Sequence, residues 1–87
     1  MPGLSRPTVT VRYWAAAKAA AGRAEDSVEA RSVAEALEAA RRTHGAELAR
    51  VLGAASVLVD GVRTDKDDPR PLQEGAVVEV LPPFAGG

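Results

Sequence analysis

The run Ala76-Val77-Val78-Glu79-Val80-Leu81 constrains this chain most, because a segment that is nearly all apolar and rich in β-branched residues reads as a central strand covered on both faces. A central strand needs neighbours on both sides, and 87 residues hold a single small core that buries only about 60 to 65% of the unfolded surface. The rest of the chain must therefore supply flanking strands and an apolar layer to lie across them. Pro82 and Pro83 follow at once, and neither has an N–H to give to a ladder, so the strand stops at Leu81.

The flanking elements are legible in turn. Thr8 to Trp14 alternates, with Val9, Val11 and Tyr13 on one face and Thr8, Thr10, Arg12 and Trp14 on the other, the pattern of a half-buried strand. Ala15 to Ala21 is an alanine-rich helix with Gly22 where a left-handed cap sits. Ala24 to Ala30, with Val28 as its strong β-former, is expected to return beside the first strand. Ser32-Val33-Ala34-Glu35 has capping-box spacing, in which Ser32 and Glu35 each satisfy a free N–H at a helix start. That helix gathers Val33, Leu37 and Ala40 on one face, carries Glu38 and Arg42 as an i,i+4 pair, and closes at Gly45. A small helical turn around Glu47 to Leu52 precedes a strand at Ala55 to Val59. Asp60-Gly61 then suits a two-residue type I′ hairpin into Val62-Arg63-Thr64. Asp65 to Pro71 is a charged, proline-bearing loop, and Leu72 is a lone apolar anchor before the turn at Glu74-Gly75.

This order describes an α+β domain, one main helix packed across a mixed sheet. Val33, Leu37, Val57, Val59, Val78 and Val80 are expected to form much of its core. The chain divides into a flexible leader over residues 1–7, a folded domain over 8–81 and an extended tail over 82–87.

The tail, Pro82-Pro83-Phe84-Ala85-Gly86-Gly87, has the chemistry of a segment made to be captured. Gly86 and Gly87 lack a Cβ, so a narrow channel can close on their backbone and reach the carboxylate beyond. The fixed φ of Pro82 and Pro83 keeps the stem extended and lowers the entropy lost on capture. Fully extended, the six residues span roughly 20 Å. Trp14, Leu81 and Phe84 are expected to add an apolar patch near the root of the tail, because a small domain rarely leaves large apolar groups together without a partner.

Other chemistries find no support in the sequence. The net charge is −1 and the basic residues are scattered, which argues against nucleic acid or an anionic membrane surface as the main partner. The absence of cysteine excludes a disulfide framework, a thiolate nucleophile and a thiolate metal site, and fits a reducing, cytoplasmic setting. No apolar run approaches the roughly 18 to 20 residues of a membrane span. His44, the one histidine, falls in the last turn of the main helix, where it complements the helix dipole. Ser5, Ser27, Ser32 and Ser56 have no triad around them, and Asp65, Asp67 and Asp68 lack calcium-loop spacing. There is no glycine-rich phosphate loop, so any activation of the tail carboxylate must come from another protein.

Taken together, Tyr13-Trp14-Ala15, the helix closed by Gly22, Ser32-Val33-Ala34-Glu35-Ala36-Leu37, Val59-Asp60-Gly61, Pro71-Leu72-Gln73-Glu74-Gly75 and Val80-Leu81-Pro82-Pro83-Phe84-Ala85-Gly86-Gly87 resemble the molybdopterin synthase small subunit. That group belongs to the ubiquitin-like sulfur carriers of β-grasp fold, and the double proline favours it over the thiazole-synthesis carrier. The resemblance implies a sulfur donor that is not catalytic alone. A separate ATP-using enzyme adenylates Gly87, and the adenylate is converted to a thiocarboxylate. The tail then enters the synthase large subunit, where sulfur passes to a cyclic pyranopterin phosphate. By this resemblance Gly87 bears the sulfur, and Trp14, Leu81, Pro82, Pro83, Phe84, Ala85 and Gly86 meet the partners. The chain itself binds no cofactor or metal. A carrier for thiamin or cysteine synthesis, a ubiquitin-like modifier that joins Gly87 to target lysines, and a plain interaction domain stand as alternatives.

Overall fold

The computed structural model describes residues 6–83; Phe84 to Gly87, and the leader before Arg6, lie outside the described residues. The elements run β1 (Thr8–Tyr13), α1 (Ala15–Ala21), β2 (Glu25–Glu29), α2 (Val33–His44), α3 (Ala46–Ala54), β3 (Ser56–Val59), β4 (Val62–Thr64) and β5 (Val77–Leu81). They build a five-stranded sheet in the order β2-β1-β5-β3-β4. The apolar run is thus the central strand, as its composition predicts. β5 pairs parallel with β1, Thr10 opposite Val77 and Tyr13 opposite Val80, and antiparallel with β3, Val57 opposite Val80. One parallel pair among antiparallel ones makes the sheet mixed.

One expectation about β5 is corrected. Only one of its faces is covered: Val78 and Val80 are fully buried, whereas Val77, Glu79 and Leu81 on the opposite face stay partly open. The reason is that the helices lie in one layer, α1 and α2 each against α3, over the face that carries Val9, Val11, Tyr13 and Val57. Half-covering suffices because Thr10, Arg12 and Leu58 flank β5 on the open side and shade its apolar groups.

The helical layer is larger than the sequence suggests. α2 is the longest helix and begins as its capping box requires: Glu35 N–H donates to Ser32 Oγ at 3.2 Å, and Arg31 N–H donates to Glu35 Oε1 at 2.8 Å. Val33, Ala36, Leu37 and Ala40 are its buried stripe. The turn expected around Glu47 is instead a full nine-residue helix, α3, which buries Leu48 and Leu52 completely. Gly45 ends one helix and starts the next with φ 85° and ψ −159°, a backbone shape that only glycine adopts without strain. Lys66 Nζ donates to the Leu52 and Gly53 carbonyls, both at 3.0 Å, and so satisfies the end of α3 where no glycine cap follows. Of the expected core, Val33, Leu37, Val57, Val78 and Val80 are buried and Val59 is half-buried against them.

The hairpin is confirmed in detail. Asp60 and Gly61 both have positive φ, at 49° and 85°, and Val59 pairs with Val62. Asp60 also accepts the Val77 N–H on its side chain at 2.9 Å and donates its own N–H to the Val77 carbonyl. The turn therefore pins the start of the central strand.

A partly buried polar cluster sits beneath the end of α2. Asp26 Oδ2 accepts from the Tyr13 hydroxyl at 2.7 Å and lies 2.6 Å from His44 Nε2, while Arg23 Nε approaches Oδ1 at 3.2 Å. The side chains of His44 and Asp26 are only 12% and 10% exposed, and the Tyr13 and His44 rings meet edge to face at 5.8 Å. Burial alone pushes the Asp26 carboxyl up, but the hydrogen bonds from His44 and Tyr13, reinforced by the nearby positive charges, outweigh it and hold the group below the ordinary aspartate value. Burial and the bond to Asp26 push the Tyr13 phenol far above its usual range, so it stays a donor.

Candidate functional site at the root of the tail

The site begins where β1 and β5 end side by side. Trp14 follows the last residue of β1 in extended conformation, φ −119° and ψ 150°, and its N–H donates to the Val80 carbonyl at 3.2 Å. Its carbonyl accepts from Ala17 and Lys18, so one residue ends a strand, opens α1 and ties both to the last strand before the tail. Ala15, next in line, has φ 50°, an unusual value for a residue with a Cβ; the corner between strand and helix is too tight for ordinary backbone.

The Trp14 side chain turns to the open face of the sheet. It is 45% exposed, the most exposed aromatic among the described residues, and its indole N–H donates to Glu79 Oε2 at 3.1 Å. Glu79 is the one charge in the apolar strand, and it stands between Arg12 of β1 and Leu58 of β3. Arg12 in turn pairs with Glu25 of β2 at 3.3 Å. These exposed pairs add little stability, since water screens them; they arrange a row of alternating charge beside the half-open apolar groups Val77, Leu58 and Leu81. Register carries Trp14 next to Leu81, one step beyond the Tyr13–Val80 pair.

The stem leaves this corner in the other direction. Pro82, half-buried, and Pro83, exposed, line an open groove of about 360 Å³ with Ala16 of α1 and Glu47, Arg50, Val51 and Ala54 of α3. The root of the tail thus has two surfaces beside it: the open sheet face under Trp14, and the groove between α1 and α3.

Of the residues singled out from sequence, the structure brings Trp14, Leu81, Pro82 and Pro83 to one corner. Phe84, Ala85, Gly86 and Gly87 lie outside the described residues. Sequence reasoning missed Glu79 and the α3 residues of the groove. Glu79 carried a signal, a lone charge in an otherwise apolar strand; the groove carried none, because it depends on how α1 packs on α3.

A five-stranded mixed sheet with helices across one face, an Asp-Gly hairpin pinned to a central last strand and a proline stem after it define a ubiquitin-like β-grasp domain. The sequence pattern of the ThiS family matches residues 11–87, and the chain belongs to that family of ubiquitin-like sulfur carriers. No curated protein matches it. Among solved structures, the putative molybdopterin converting factor subunit 1 from Pyrococcus furiosus is 25% identical with a TM-score of 0.70, over 90% of this chain and 99% of that one. A chain of the complex of subunits 1 and 2 of the molybdopterin-converting factor from Helicobacter pylori is 26% identical with a TM-score of 0.68, over 92% and 99%. SAMP1 from Haloferax volcanii shares the fold with a TM-score of 0.80 at 23% identity, over 92% of this chain and 99% of that one.

Proposed function

We propose that this chain is the sulfur-donating small subunit of a molybdopterin synthase, carrying sulfur as a thiocarboxylate on Gly87. The observation that carries this reading is the corner formed by Trp14, Leu81 and Pro82, from which a proline stem leaves the end of the central strand next to an open sheet face of mixed charged and apolar groups. The likeness to subunit 1 of molybdopterin converting factors supports the same choice, and the complex from Helicobacter pylori supports a large-subunit partner.

In this reading a carboxylate with a pKa near 3.3 is a poor electrophile at neutral pH. An ATP-using enzyme joins it to AMP with loss of pyrophosphate, and a sulfur nucleophile displaces AMP at the same carbonyl carbon. The domain supplies no catalytic group; it presents the tail and is recognised through Trp14, Leu81, Pro82 and Pro83. The large subunit then receives Phe84 to Gly87 and directs sulfur to a cyclic pyranopterin phosphate.

The test is intact mass of the chain recovered from its native host, followed by incubation with the large subunit and the pterin substrate. Replacement of one oxygen by sulfur at Gly87, lost on product formation, is the expected result. A sulfur-loaded chain that the large subunit cannot discharge assigns it to another sulfur pathway, and lysine adducts through Gly87 without sulfur assign it to protein modification.

A further inference from the structure

We propose that the groove between α1 and α3 is a resting seat for the Phe84 ring of the same chain, which holds the tail against the domain until a partner draws it out. Three observations converge on this occupant. Pro82 and Pro83 themselves line the groove, so its mouth lies where the stem emerges. Phe84 follows Pro83 directly, with its Cα about 3.8 Å further on, and it is the only phenylalanine in the sequence. The groove also suits an aromatic ring: Val51, partly packed on the core, gives an apolar lining, Ala16 and Ala54 are too short to fill the space, and the exposed Arg50 guanidinium, ion-paired with Glu47 at 2.6 Å, keeps a planar face that a ring can stack on.

Connectivity favours this seat over capture from solution. The prolines have little freedom to lose, and a ring tethered one residue from the groove is at high effective concentration there. Four residues lie beyond Pro83, so docking Phe84 leaves Ala85 to Gly87 as a free end of roughly 10 Å. The same step turns the tail away from the open face under Trp14, which leaves that face free for a first encounter. The seat itself stands on the stem and groove; only its meaning as a stored tail rests on the carrier reading.

The experiment is an NMR measurement on the full, isotopically labelled chain, in which the sole phenylalanine ring gives unambiguous contacts. Nuclear Overhauser effects from the Phe84 ring to the Val51 and Ala54 methyls are expected, with ring-current shifts of those methyls that vanish in Phe84→Ala. Val51→Ser, verified as folded by its methyl spectrum, should lose the contact to Ala54. Ring contacts to Leu58 or Leu81, or none at all, overturn the seat. Contacts seen only between differently labelled copies overturn it in favour of a second chain as occupant. Sulfur loading of Gly87 is read separately by mass, so loss of the seat and loss of the carrier reading are distinguishable.

Discussion

Asp26 holds its charge inside a partly buried polar cluster. Its carboxylate accepts from Tyr13 and faces His44 where little water reaches, so Asp26→Asn leaves a phenol and an imidazole competing for a weaker, neutral acceptor. A loss of about 1 to 3 kcal/mol is expected, read as a fall in melting temperature of roughly 4 to 8 °C per kcal/mol for a domain of this size. The pH dependence has a definite sign. Because the folded-state value lies below the ordinary one, the contribution is complete above about pH 4 and drains away as pH falls through the folded-state value. Thermal melts between pH 5 and pH 2 should therefore slope downward, and less steeply in Asp26→Asn. Asp68, held down to about 2 by Arg70, titrates in the same range; its own side chain is mostly covered but Arg70 is 77% exposed, so water screens the pair, and its share of the slope persists in Asp26→Asn. Ala15 makes the opposite case. Glycine inside a helix ordinarily costs about 0.5 to 1 kcal/mol, but at φ 50° it also removes strain, so Ala15→Gly is expected to melt within a few degrees of the parent. A full helix-glycine penalty would mean that the corner is not strained.

At the scale of elements, the helical layer carries the core. Leu37 is 1% exposed and Leu48 and Leu52 are fully buried, so alanine at each should cost about 2 to 5 kcal/mol by chemical denaturation. Equal losses from α2 and α3 would show that the sheet needs both helices. How far these elements are legible from sequence follows from where their information sits. The capping box at Ser32, the Asp60-Gly61 turn and Gly22 are local codes, and each appears in the structure where the residues place it. α3 is underestimated because only Leu48, Val51 and Leu52 mark its apolar face among alanines, and Gly53 interrupts it. The open face of β5 is misjudged for a different reason. A run of valines does not say which side the helices will take, and that is decided by long-range packing. His44 shows the same limit: its place at the end of α2 is legible, but its partner Asp26 comes from another element.

For the whole molecule, fold and function are expected to separate at the tail. Deleting Gly87, or replacing Gly86 with a bulky residue, removes nothing from the buried core of residues 9–80, so melting should be unchanged while thiocarboxylate formation by the activating enzyme is lost. A Gly87-deleted chain that still accepts sulfur would refute the carrier reading. Trp14→Ala tests the other half of the site. The ring is 45% exposed and tied to Glu79 by one hydrogen bond, so a modest change in stability and a larger loss of large-subunit affinity are expected; a loss of stability with affinity intact would assign Trp14 to the fold alone.

The parallel pairing of β1 with β5 sets a timetable for the newborn chain. Residue 10 meets residue 27 on one side early, but its neighbour on the other side is residue 77, so the middle of the sheet stays open until nearly everything has been synthesised. The β1–β2 pair and the β3–β4 hairpin can form early, but neither can complete a hydrophobic core without the strand that joins them. Folding should therefore be a single late event, slow for so short a chain and vulnerable to association through the unfilled gap until it happens.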